Sequence, residues 1–150
     1  MNEQDNIIRV ILDTNFLLIP GQFKVDIFDE IKKLMNCPYK MYIFKATFNE
    51  LEKIASKKSK DSPNAKIALK LIKQQNLKTL ENSQNSSNSS TNHKLERANE
   101  YYVDAILLEN VTNLDIVCTQ DADLKRVLKQ RFKKLKIITL KNKKYLHFDV

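Results

Sequence analysis

Short apolar runs alternate with helix-patterned stretches along this chain, and that alternation constrains the fold more than any other feature of the sequence. Residues 7–13 read as a buried strand ending at Asp13, and MYIF at 41–44, LDIVCT at 114–119 and LKIITL at 135–140 read the same way. LKTL at 77–80 is a candidate short strand, and the tail KYLHFDV adds a last extended piece. Between them, helical periodicity follows residue 13, breaks at Pro20-Gly21 and resumes to about residue 35. It returns at 47–56, at 64–75 with Ile67, Leu71 and Ile72 inward, at 94–110 and at 121–131. Strands that alternate with helices form a parallel sheet covered on both faces, so the fold class is α/β. In such sheets ligands bind beyond the carboxyl ends of the strands, which is where Asp13 stands.

The 150 residues fit one domain, 1–150, with a real core. ENSQNSSNSSTNH at 81–93 has no apolar residue and is expected to be a flexible Ser/Asn-rich loop inserted within that domain. No apolar run approaches the roughly 18 residues of a membrane helix. The polar, acidic N-terminus has no signal-peptide pattern, so the expected location is cytoplasmic, with no membrane partner. Cys37 and Cys118 form no CxxC pair and no zinc set, and Cys118 reads as a small core residue.

Glycine supplies a useful exclusion. Phosphate cradles such as the P-loop need several glycines so that backbone can approach phosphate, and this chain has only Gly21. With two histidines, His93 and His147, HExxH zinc chemistry is excluded as well.

The net charge is +8, and ten basic residues between Lys125 and Lys144 are interrupted by no acid. A solvated face normally mixes both signs; a one-signed field suits a polyanion, most often nucleic acid. Lys125, Arg126, Lys129, Arg131, Lys133 and Lys134 are the candidate nucleic-acid-binding residues, with compositional bias toward lysine as the plain alternative.

Four acids occupy positions where carboxylates need explaining. Asp13 follows the first strand and could simply cap a helix. Glu50 follows the strand at 41–44, and Thr47-x-x-Glu50 fits a capping box. Asp104, in NEYYVDAILLEN, sits on or beside an apolar helical stripe, where a carboxylate is rarely buried without a partner or a metal. Asp121, with Asp123 in VCTQDADLK, repeats the strand-then-acid geometry and could also cap. Together, Asp13, Glu50 and Asp121 fall on one rim of one sheet, with Asp104 within reach. Oxygen-only ligands select a hard ion such as Mg²⁺ or Mn²⁺, and an acidic metal pocket on a basic chain suits a metal-dependent nuclease.

The pieces VILDTNFLL, TFNELEKI, YYVDAILLEN and CTQDADLK, in that order, resemble the PIN domain family across essentially the whole chain. ILDTNFLLIPGQFKVDIF and KKYLHF resemble most closely the small archaeal PIN proteins, a group related to the PIN nuclease of the small-subunit processome; VapC-type toxins share the fold. The resemblance implies a PIN-like three-layer α/β/α sandwich with a central parallel sheet. It implies Mg²⁺- or Mn²⁺-dependent endoribonuclease activity leaving a 5′-phosphate and a 3′-hydroxyl, with rRNA processing as one setting. The catalytic and metal-binding acids would be Asp13, Glu50, Asp104 and Asp121, with Asp123 supporting the metal and Asn15 and Thr119 bracing the acids. Gln120 stands where relatives often have Asn, a change expected to matter little. The partners implied are RNA, including ribosomal RNA, and a second copy of the chain as a homodimer. Two alternatives follow: a non-catalytic RNA-binding ribosome-assembly factor, or a toxin ribonuclease paired with an antitoxin.

Overall fold

The computed structural model describes residues 6–81 and 99–150. All but the first residue of the expected Ser/Asn-rich loop, and positions 94–98 of the expected helix, lie outside the described residues. The strands are β1 (Ile8–Leu12), β2 (Tyr39–Phe44), β3 (Lys78–Leu80), β4 (Ile116–Cys118), β5 (Lys136–Lys141) and β6 (Tyr145–Phe148). The helices are α1 (Thr14–Leu17), α2 (Ile19–Phe23), α3 (Ile27–Leu34), α4 (Lys45–Ser56), α5 (Ser62–Gln74), α6 (Asn99–Asn110) and α7 (Ala122–Arg131).

One six-stranded sheet runs in the order β3-β2-β1-β4-β5-β6. Every pairing is parallel except β5 with β6, which is antiparallel, so the tail closes the sheet as a hairpin. Alternation along the strands builds two cores. Val10, Leu12, Ile116 and Cys118 face one side with Phe16, Ile27, Ile31, Leu51 and Ala65. Ile11, Val117 and Ile137 face the other with Val103, Leu107, Leu124 and Leu128 from α6 and α7. These are the helix, sheet and helix layers of an α/β/α sandwich. No helix among the described residues is long and apolar enough to cross a membrane.

Several local expectations change. The chain does not break at Pro20-Gly21: both lie inside α2, with Pro tolerated in its first turn. The breaks fall at Leu18 and after Lys24, whose φ of 56° is left-handed. Gly21 is required for another reason. A Cβ there would lie 2.5 Å from Asn64 Oδ1 and 2.8 Å from Asn64 Cα, so the missing side chain lets α2 and α5 meet. Ile67 is not inward but 43% exposed; Ala65, Ala68 and Ile72 form the buried stripe of α5. Helix α4 starts at Lys45, two residues before the expected Thr47. Thr47 is therefore an internal, buried residue, and its hydroxyl has no hydrogen-bond partner among the described residues. The capping-box reading of Thr47 and Glu50 is thereby overturned.

At the far end of the sheet from Asp13, Arg9 makes a bidentate pair with Asp115, at 2.9 Å from Nε to Oδ1 and 2.7 Å from Nη2 to Oδ2. Asp115 also accepts the Thr112 amide, which fixes the turn leading into β4. This acid is structural, in keeping with its place before the strand.

Candidate active site

The central strands β1 and β4 are neighbours although the chain between them visits β2 and β3, so the sheet order reverses there. Beyond the carboxyl ends of two such strands the connections diverge and leave a crevice. Asp13 follows β1 directly. Its amide donates to the Cys118 carbonyl (3.0 Å), and the Thr119 amide donates to Ile138 (3.1 Å). The sheet ladder thus continues one residue past β1 and β4 and brings Asp13 beside Thr119.

Asp13 stands at the N-cap position of α1 but makes no capping hydrogen bond. Instead Thr119 Oγ1 donates to Asp13 Oδ2 at 2.9 Å. Only 4% of the Asp13 surface is exposed. Burial raises its pKa above the ordinary carboxylate value; the Thr14 amide and the Thr119 hydroxyl pull it back, and the Asp121 charge pushes it up again. A carboxylate kept in such a place at a cost is a mark of function more than of packing.

Asp121 does cap: its Oδ1 accepts the amides of Asp123 (2.9 Å) and Leu124 (3.1 Å) at the start of α7. Both bonds use one oxygen, so the cap and a ligand role for the other oxygen are compatible. Thr119 joins the two acids, because its Oγ1 also accepts the Asp121 amide at 3.1 Å. Asn15 Oδ1 accepts the Gln120 amide at 3.2 Å and braces the same turn from α1. Gln120 does more than expected. Its Oε1 accepts the Thr139 hydroxyl and the Leu140 amide, tying the turn after β4 to β5.

Glu50 reaches the site from α4, where its Oε2 accepts the Thr14 hydroxyl at 2.8 Å. Asp104 comes from α6, next to buried Val103. Asp13, Asn15, Glu50, Asp104 and Asp121 line one cavity of about 280 Å³, together with Thr14 and Asp61. Asp61 is the functional candidate that sequence reasoning missed. An Asp before Ser-Pro reads as a helix cap, yet its side chain makes no capping bond. Its Oδ1 accepts the side-chain amides of Gln22 (3.2 Å) and Asn64 (3.3 Å), which hold it at the cavity wall. One amide comes from the next turn of chain and the other from α2, 39 residues away, so this signal is visible only after folding.

Two expectations do not join this group. The Asp123 side chain is 92% exposed, lies 3.8 Å from Arg126 and does not line the cavity. Among the described residues, no three acidic, histidine or cysteine side chains stand close enough to make a ready ligand set for a metal.

The basic residues divide likewise. Lys125, Arg126, Lys129 and Lys133 line a second cavity of about 460 Å³ along α7, with Ala122, Gln130 and Asp149. Arg131 and Lys134 are exposed but lie outside it.

A central parallel sheet with an acid-lined crevice where its strand order reverses defines a class, and the chain belongs to the PIN-like domain family, whose model matches residues 10–143. No curated protein matches it. Among solved structures it is similar to the PIN domain endonuclease Utp24, with a TM-score of 0.71 and 21% identity over 94% of this chain and 90% of that one. It is also similar to VapBC2 from Rickettsia felis, solved bound to a DNA fragment from its promoter (TM-score 0.55, 16% identity, 89% of this chain and 100% of that one). A domain of a protein of unknown function from Methanocaldococcus jannaschii has a TM-score of 0.53 at 16% identity, over 89% of this chain and 91% of that one. At these identities the likeness is one of fold.

Proposed function

We propose that this protein is a divalent-metal-dependent endoribonuclease, hydrolysing RNA phosphodiester bonds with Mg²⁺ or Mn²⁺. The observation that carries the reading is the buried carboxylate of Asp13, held by Thr119 and facing Glu50, Asp104 and Asp121 across one cavity. The chemistry of the donors fits the ion: the charged groups lining the cavity are all carboxylates, which suits a hard cation. Asp13 and Asp121 would hold it, with Glu50 and Asp104 completing the set after side-chain rotation. A bound divalent ion lowers the pKa of water and stabilises charge on the scissile phosphate.

The protein's own contributions are legible in the hydrogen bonds. Thr119 fixes one Asp13 oxygen and orients the Asp121 backbone. Thr14 and Asn15 hold Glu50 and the turn after β4. Such supporting bonds keep carboxylates in the geometry a metal requires. The positive α7 face supports RNA as substrate, and the fold it shares with the endonuclease Utp24 supports phosphodiester hydrolysis. Products would carry a 5′-phosphate and a 3′-hydroxyl.

The test is incubation of the purified protein with Mn²⁺ and a structured RNA such as an rRNA fragment. Cleavage is expected from the wild type and absent from Asp13→Asn, with the fold retained by circular dichroism. Equal cleavage by that variant refutes the assignment. One observation favours a second reading, a non-catalytic RNA-binding assembly factor: the lysine-lined groove on α7 is built from residues other than the cavity acids, so it could hold RNA without them. Tight RNA retention with no metal-dependent cutting at any Mn²⁺ concentration would select it.

A further inference from the structure

Among the described residues that line the basic groove on α7, one is an acid. Asp149 lies 3.1 Å from Lys129 Nζ and 3.8 Å from Lys125 Nζ, and all three line the same cavity with Arg126 and Lys133. Lys125 and the Asp149 side chain are each largely covered, at 23% and 24% exposure. The Asp149 backbone is fixed independently, since its amide donates to the Ile137 carbonyl at 2.8 Å. The carboxylate can therefore leave the lysines by rotating its side chain while the chain path stays in place.

Helix α7 connects this groove to the acidic cavity. Its N-cap, Asp121, lines the cavity, and Lys125 and Lys129 follow one and two turns later, about 6 Å apart along the axis. A strand entering the cavity along α7 would present backbone phosphates to these ammonium groups. We propose that the Asp149 carboxylate occupies a backbone-phosphate position on α7 and competes there with single-stranded RNA, so that RNA must displace it to bind. Asp149 is in this sense an internal stand-in for the substrate's phosphate. It keeps Lys125 and Lys129 oriented when no RNA is bound and lowers affinity for short or weakly charged strands. The proposal rests on the RNA-binding half of the function given above and does not require cleavage.

The experiment is fluorescence anisotropy with a labelled 12-nucleotide single-stranded RNA at fixed salt in EDTA, which removes catalysis. Asp149→Asn keeps the side-chain size and the backbone bond to Ile137, and its fold is checked by thermal melting. Its affinity is expected to rise roughly two- to fivefold, the range of partly exposed ion pairs. Lys129→Gln should weaken binding and reduce the slope of log K against log salt by about 0.7, one phosphate contact for a single strand. In a Lys125→Gln, Lys129→Gln background, Asp149→Asn should give no gain. Unchanged or weaker binding by Asp149→Asn, a gain that persists without the lysines, or no RNA binding at all overturns the proposal. If the binding pattern holds but Mn²⁺ never produces cleavage, the nuclease reading fails and this one stands.

Discussion

Gly21→Ala sets two known effects against each other, and the structure decides the sign. Within a helix, Ala is favoured over Gly by about 1 kcal/mol, so α2 alone would gain. Gly21 has no positive φ, so backbone strain does not enter. Against the gain stands a collision: the new Cβ would meet Asn64 Oδ1 at 2.5 Å, Cα at 2.8 Å and Cβ at 2.9 Å. The amide oxygen can rotate away, but the Cα is backbone of α5. The two helices must therefore separate by a large fraction of an ångström. Overpacking of this kind costs about 1–3 kcal/mol, or more where backbone must move. Because backbone lies in the way, the upper part of that range applies, about 2–3 kcal/mol, so the net expectation is a loss of about 1–2 kcal/mol, or roughly 2–8 °C in Tm for a domain of this size. Asn64 and Gln22 also hold Asp61 at the cavity wall, so the separation should lower Mn²⁺-dependent activity beyond the loss of folded protein. Urea and thermal denaturation read the first effect and initial rates at saturating Mn²⁺ the second. A Tm equal to or above wild type would refute the contact argument and leave helix propensity as the governing term.

Other perturbations test other parts of the site. Asp13→Asn should stabilise the metal-free protein at pH values above the raised pKa of Asp13, because there it removes a buried charge. The native state binds that proton more tightly than the unfolded chain, so wild-type stability should fall as pH rises from the ordinary Asp value through the raised one; melting scans in EDTA should show that slope in wild type and lose part of it in the variant. Thr14→Val removes the donor to Glu50 and should weaken Mn²⁺ affinity or activity about tenfold with little change in Tm, as isothermal titration and rate measurements would show. Thr47→Val should raise stability by about 1 kcal/mol in urea titration, since the hydroxyl is buried without a partner among the described residues; a capping box there would predict a loss. Asp115→Asn should cost about 2–3 kcal/mol by breaking the pair with Arg9, below the range for fully buried pairs because the Arg9 side chain is 33% exposed, and Mn²⁺ titration should show unchanged affinity.

The order of residues along the chain is enough to set the layers and the rim. Short continuous apolar runs with helices between them leave a parallel sheet as the economical solution, and an acid at the end of a strand must then point past its carboxyl edge. Asp13 and Asp121 follow from that rule, and Asp104 from a carboxylate on an apolar helical stripe; Glu50 sits inside α4, beyond the end of β2, where a local capping pattern competed with a place at the rim. Tertiary structure decided what local patterns leave open. It converted Thr47 and Glu50 from a capping pair into a buried hydroxyl and a cavity acid held by Thr14, put Gly21 inside a helix, and sent Asp123 to solvent. It also added Asp61 to the cavity and Asp149 to the basic groove. Each of these depends on which helix faces which across many residues of chain. Periodicity fixes the direction of a side chain within its own element, while the partner waiting there is set by how the elements pack.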